Sequence, residues 1–167
     1  MPVKIGNTKL RIAIVGAGPA GSSLAVRLAG CGHRVTLLDR DTFPRHKLCG
    51  EFISPECLRH FDELGVFDDM LAAGGERVYE TRFFDRRGRN FAVPSSLLDG
   101  GGFALSLSRY EMDRRLLDKA RTMGVDVLEG VKASQVLLNG GRAVGLETAR
   151  NNRSAGAIEA DLFVDAT

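Results

Sequence analysis

The amino-acid sequence predicts an α/β chain, with parallel strands and helices in one layer and a small antiparallel layer attached. Three observations carry this. An apolar, β-branched run from Ile12 to Val15 leads straight into a glycine-rich turn and a helical segment. A second run, Arg34 to Leu38, follows that helix and ends on the acid Asp39. Further on, strand-period and helix-period segments alternate, punctuated by glycine-marked hairpins.

The first unit is the most informative. Gly16-Ala17-Gly18-Pro19-Ala20-Gly21 stands directly after the first strand. Gly16 allows the tight turn, Gly18 lets a phosphate approach the backbone, and Gly21 lets the helix lie close to the strand. The spacing predicts a helix over Ala20 to Leu28 with Leu24 and Leu28 on one face, ended by Gly30 and Gly32. Asp39 lies eighteen residues past Gly21, the position of a carboxylate that holds a ribose hydroxyl. A lone glycine fingerprint is weak evidence. Here strand, helix, second strand and terminal acid all accompany it, and the helix N-terminus is an anion site by its dipole. Dinucleotide binding therefore outweighs a ligand-free glycine corner.

The rest of the chain follows in order. Met1 to Leu10 reads as a short polar lead-in, and Arg40 to Phe52 as a loop. Ser54 caps a helix whose first turn holds Pro55, with Leu58, Phe61 and Leu64 inward and Gly65 as its stop. Val66 to Ala73 is a second short helix, closed by Gly74 and Gly75. Glu76 to Phe84 takes a strand period with imperfect alternation, turns over residues 85–89, and returns from Asn90 to Val93. After a loop from Pro94 to Gly102, Phe103 to Leu107 is a strand. Ser108 and Glu111 form a capping box for a helix reaching Thr122, with Met112, Leu116, Leu117 and Ala120 inward. Val125 to Leu128 is a strand, and Ser134–Leu138 pairs with Arg142–Thr148 around Asn139-Gly140-Gly141. Asn151 to Gly156 is a turn, and Asp161 to Ala166 is a last strand, expected in the parallel sheet near the first.

Composition narrows the function classes. With 167 residues, 44% apolar and 26% charged, the chain is an ordinary globular sequence. A net charge of +2 argues against nucleic acid or an anionic membrane as partner. No run of about 18 charge-free apolar residues calls for a membrane span. The three cysteines, Cys31, Cys49 and Cys57, make neither a disulfide framework nor a zinc motif, and a reducing cytoplasm fits them. His33 and His60 lack partners at ligand spacing, so no metal site is expected. Arg86, Arg87 and Arg89 read as a charged hairpin tip.

Taken together, Gly16 to Gly21, Lys47-Leu48-Cys49-Gly50 with Ile53-Ser54-Pro55, Arg109 with its helix, and Ala160 to Thr167 resemble a known family. It is the N-terminal part of flavoproteins with the para-hydroxybenzoate hydroxylase type of fold. The Cys-Gly loop is most similar to the geranylgeranyl reductase branch and the related flavin-dependent halogenases. The resemblance implies a Rossmann-like FAD-binding domain, here 1–167 and truncated, with residues 76–94 beginning an inserted substrate-domain sheet. It implies FAD as the tightly held dinucleotide, with NAD(P)H as an external reductant and a small, hydrophobic substrate.

The cofactor-binding set it implies is Gly16, Gly18, Pro19, Ala20, Gly21, Asp39, Arg40, Lys47, Cys49, Gly50, Arg109 and Val131. Asp39 would hold the adenosine ribose, Arg109 would sit near the pyrophosphate or ribityl chain, and residues near Val131 would lie against adenine. Cys49 would lie beside the isoalloxazine, or be a small buried apolar residue. His46 and Lys47 would bind phosphate or be solvated. No acid or base stands out as catalytic, consistent with a cofactor that carries the redox chemistry. Two alternatives stay open from the residues alone: a nicotinamide-dependent dehydrogenase, and a nucleotide-binding module without catalysis.

Overall fold

A computed structural model describes residues 8–49, 51–98 and 102–167. In chain order the first elements are β1 (Arg11–Val15), α1 (Pro19–Gly30), β2 (Arg34–Asp39), β3 (Phe52–Ile53), α2 (Pro55–Glu63) and α3 (Phe67–Ala72). Then come β4 (Glu76–Val78), β5 (Glu80–Phe84), β6 (Asn90–Pro94), a 3-10 turn over Ser95–Leu97, and β7 (Ala104–Ser106). The chain continues with α4 (Arg109–Thr122), β8 (Asp126–Glu129), β9 (Lys132–Asn139), β10 (Arg142–Arg150), β11 (Arg153–Glu159) and β12 (Leu162–Asp165). Most of the expected lead-in (1–7), Gly50 and residues 99–101 of the expected loop lie outside the described residues.

The chain divides into two compact units. One combines the residues up to Arg45 with Leu116–Thr167 and holds a four-stranded parallel sheet in the order β12-β1-β2-β8. Its strands run in register from Ile12 beside Leu162 and Val35 to Asp39 beside Glu129. Ile12, Ala13, Ile14, Leu37 and Leu38 are buried at its centre, as continuous apolar runs in a parallel sheet should be. A three-stranded antiparallel sheet, β11-β10-β9, packs through Leu146 against Leu38 and Val131. The expected position of the last strand is borne out, since β12 pairs in parallel with β1.

Helix α1 keeps Leu24 and Leu28 four residues apart on one face, as expected, and buries small residues most deeply. Gly21, Ser22, Ala25 and Val26 are buried, whereas Leu24 and Leu28 are half-buried. Small residues permit a closer approach than leucines would, and that is the side the helix turns inward. The turn expected over 151–156 contracts to Asn151-Asn152, both in the left-handed region at φ 50° and 60°. Asparagine adopts that conformation at low cost. The following residues are the extra strand β11, whose small exposed side chains offer no alternation to read.

The second unit, His46–Arg115, holds the antiparallel sheet β3-β7-β4 and the separate hairpin β5-β6. Leu58, Phe61 and Met70 from α2 and α3, and Ala104 and Leu105 from β7, are buried. The strand expected over 76–84 breaks at Tyr79 because β4 pairs with β7 while β5 pairs with β6. A chain that changes sheet changes which face is covered, which accounts for the imperfect alternation. At the hairpin tip Asp85 accepts the Arg87 and Arg89 N–H groups, and these bonds hold its carboxyl below the ordinary range, the Arg89 side chain contributing most.

Two helix starts are simpler than the motifs implied. The Ser108 hydroxyl accepts the Glu111 N–H at 3.3 Å, but the Glu111 carboxylate pairs with Arg115 at 2.8 Å, so only half of the capping box forms. Ser54 stands at the N-cap of α2, where its carbonyl accepts the Cys57 N–H at 3.0 Å but its hydroxyl caps no backbone group; its side chain instead lowers the Glu56 carboxyl's pKa.

Candidate dinucleotide site

The site in the first unit is built at the carboxyl ends of β1 and β2. Gly16 leaves β1 at φ +100° and donates its N–H to Leu38 O at 2.8 Å. A Cβ on Gly16 would stand 2.7 Å from Ala166 O, and one on Gly21 would stand 1.8 Å from Gly16 O. Both glycines are therefore demanded by backbone closeness. Gly18 is the N-cap of α1 and Pro19 takes its first turn, so no side-chain oxygen caps the helix and no acid occupies its first turn. Such a terminus presents its positive end to an anion. Ala20 is exposed on that first turn. Ser22, fully buried, donates its hydroxyl to Ala17 O at 3.0 Å and steadies the turn.

Asp39 closes β2 and is 8% exposed. Its Oδ2 accepts the Ala17 N–H at 2.7 Å and its Oδ1 accepts the Asp41 N–H at 2.9 Å. Each oxygen keeps a lone pair, so the carboxylate is aimed by the fold and can still accept a hydroxyl. Arg45 Nη2 lies 4.0 Å from Asp39, its Nε lies 3.2 Å from Asp41, and its guanidinium covers the Phe43 ring at 4.6 Å. The glycine turn, the uncapped helix start and the aimed carboxylate fit the pyrophosphate and ribose of an adenine dinucleotide.

The remaining expected residues fall in different settings. Arg40 is exposed, 3.9 Å from Asp41. Val131 donates its N–H to Asp39 O at 2.9 Å, and its side chain is buried beside Leu38 and Leu146. In the second unit, Arg109 forms a forked pair with the fully buried Asp113, at 2.7 and 3.0 Å. That pair raises the guanidinium pKa, burial opposes it, and a hydrogen bond with Cys49 adds a smaller rise. Cys49 and Lys47 are exposed, and His46 packs on the Tyr110 ring at 5.0 Å. Gly50 lies outside the described residues.

Arg45 and Asp113 escaped the sequence reading. The Arg109–Asp113 spacing, four apart on α4, was the available signal for that pair, whereas Asp41 and Arg45 lie in a loop where spacing marks nothing. Ser22 carried no signal beyond its place after Gly21.

The family described as FAD binding domain matches residues 9–165. The chain belongs to this family. Its dinucleotide is accordingly FAD, and the sequence resemblance to flavoproteins holds. Relatives include a flavin-dependent halogenase of Armillaria mellea, 30% identical over 93% of this chain and 32% of that protein. Another is the menaquinone reductase of Mycobacterium tuberculosis, 31% identical over 80% of this chain and 32% of that protein. Among solved structures, the myxobacterial chondrochloren halogenase superposes with a TM-score of 0.85 at 32% identity, covering 95% of this chain and 37% of that one. The chain thus spans about a third of the length of the curated relatives it matches. Among the described residues no helix is long and apolar enough to cross a membrane.

Proposed function

We propose that this FAD binding domain serves a flavin-dependent oxidoreductase of the reductase or monooxygenase-like kind, halogenases included. The observation that carries it is the buried Asp39 carboxylate, aimed by the Ala17 and Asp41 N–H groups beside an uncapped glycine-rich helix start. Asp39 accepts from the adenosine ribose, and Gly18, Pro19, Ala20 and Gly21 present the start of α1 to the pyrophosphate. Backbone near Val131 borders adenine. In the first unit Arg40 adds positive charge near the phosphates. The family resemblance assigns Arg109 and Lys47 to phosphate as well, and Cys49 and Gly50 to the flavin ring. FAD, when bound, supplies the redox chemistry, drawing on NAD(P)H as external reductant and acting on a small, hydrophobic substrate. The protein's own part is to bind and orient the cofactor and to exclude water.

Residues 76–94 begin the substrate-domain sheet in this proposal. Phe83 and Phe91 stack at 5.2 Å on one face of the β5-β6 hairpin and stay half or more exposed, and a two-stranded ribbon is marginal by itself. Family membership favours flavin over a nicotinamide dehydrogenase. The test is a visible spectrum of the purified chain after incubation with FAD and removal of excess. Flavin bands that co-purify and bleach when NAD(P)H is added support an oxidoreductase. Bound flavin that NAD(P)H leaves yellow while dithionite bleaches it points to a non-catalytic nucleotide module, and a colourless protein refutes the site.

A further inference from the structure

Glu129, the last residue of β8, lies in register beside Asp39. Its Oε1 accepts the Phe43 N–H at 2.5 Å, across 86 residues of sequence. Its Oε2 takes the Arg121 guanidinium of α4, which also holds Asp118 at 2.7 Å. Around it the Gly130 N–H reaches Asp41 O at 3.2 Å and the Val131 N–H reaches Asp39 O. The 39–45 loop therefore has two kinds of anchor. At its start Asp39 binds the Asp41 N–H, and in its middle Glu129 grips Phe43. Phe43 in turn carries the Arg45 guanidinium on its ring.

We propose that Glu129 is a positioning residue for the adenosine half of the FAD site. It acts through Phe43, setting the loop that places Arg45 beside Asp39. Arg121 keeps its carboxylate aimed. The inference rests on Asp39 marking the adenosine end. The physical gain is preorganisation: a loop already held need not be ordered when the nucleotide arrives. The charge on Glu129 is secondary in this account, and the reach of an oxygen to the Phe43 N–H is primary.

Two conservative variants separate those terms. Glu129→Asp keeps the charge and withdraws it by one methylene. Glu129→Gln keeps the reach, since its amide oxygen accepts the same N–H. ADP, FAD and FMN binding to the whole chain is measured by calorimetry, with melting temperatures of the ligand-free forms. Because the lost Phe43 bond acts on the nucleotide only through the loop, Glu129→Asp weakens ADP and FAD by about five- to tenfold, less than direct loss of a bond to a charged group, with Glu129→Gln within roughly twofold of the parent. FMN, which lacks adenosine, binds all three alike. A Glu129→Asp chain that binds ADP like the parent overturns the proposal. So does a Glu129→Gln loss as large as that of Glu129→Asp, or an equal loss for FMN, which a merely structural role would produce. A parent chain that binds neither FAD nor ADP instead removes the Asp39 site on which the proposal rests.

Discussion

Replacing Gly21 by alanine sets two physical effects against each other. Helix propensity alone favours alanine over glycine by about 1 kcal/mol inside a helix. The structure opposes it, because the new Cβ would sit 1.8 Å from Gly16 O and 3.0 Å from Gly16 C. Both are backbone atoms of the turn that leaves β1, so no flexible side chain can yield. Overpacking costs about 1–3 kcal/mol, and a backbone collision this close belongs at the upper end. The balance is a net loss of about 2 kcal/mol. Gly30, at the other end of α1, is the control: a Cβ there would meet Met123 Cε at an ordinary 3.7 Å. Gly30→Ala is therefore neutral or stabilising by up to about 1 kcal/mol. Urea titrations of both variants, read as midpoint shifts at constant slope, measure the difference. FAD titration should show weaker binding for Gly21→Ala alone, since the helix start must move away from β1. Equal midpoints for the two variants would refute close packing at the fingerprint.

Three further outcomes follow from the same geometry. Asp39→Ala should weaken FAD binding by roughly tenfold or more, from a charged-acceptor bond worth about 1.5–3 kcal/mol; unchanged affinity in a flavin titration would remove Asp39 from the site. Asp113→Ala should lower stability by about 3 kcal/mol, because it strands the Arg109 guanidinium, which is only 18% exposed; a midpoint within error of the parent would show that the pair is dispensable. Asp161 accepts the Arg11 N–H at 2.8 Å and pairs with its guanidinium, and the backbone bond first, then the side chain, holds the carboxyl pKa below the ordinary Asp value. A lowered folded-state pKa stabilises above the unfolded value, about 3.9, and that contribution is lost as pH falls through the folded-state pKa. The melting-temperature gap between parent and Asp161→Asn should therefore be full at neutral pH and close below about pH 4; a gap that persists in acid would contradict the assignment.

How much was legible in the sequence depended on distance along the chain. The βαβ unit was readable because its requirements are local: a turn after a buried strand, a glycine at helix contact, an acid at the strand end. The family resemblance was readable for the same reason, through short runs such as Gly16 to Gly21. Strand β11 was missed because Ser154, Ala155, Gly156 and Ala157 are small and exposed, leaving no period to detect. The break at Tyr79 was missed because it depends on which sheet each half joins. Which side of α1 is most buried was not legible, because close packing against the turn at Gly16 favours the small residues Gly21 and Ser22 there.

The adenosine end of the site shows why such residues stay hidden. A parallel sheet delivers the last residue of each strand to the same edge, whatever their separation in the chain. Asp39 and Glu129 are neighbours there because β2 and β8 pair, and Gly16 meets Ala166 because β1 and β12 pair. One member of each pair carries a recognisable local motif. The other is legible only through the family resemblance, as Ala166 is within Ala160 to Thr167, or not at all until the register is known, as with Glu129. A fingerprint therefore marks where a nucleotide goes, while a group that holds it in place can come from a strand such as β8, whose own sequence says nothing about ligands. Mutational scans confined to Gly16–Gly21 and Asp39 would leave out that second set. Pairing each fingerprint substitution with one at its sheet neighbour would show, by the size of the coupling between them, how far the strand edge acts as one unit.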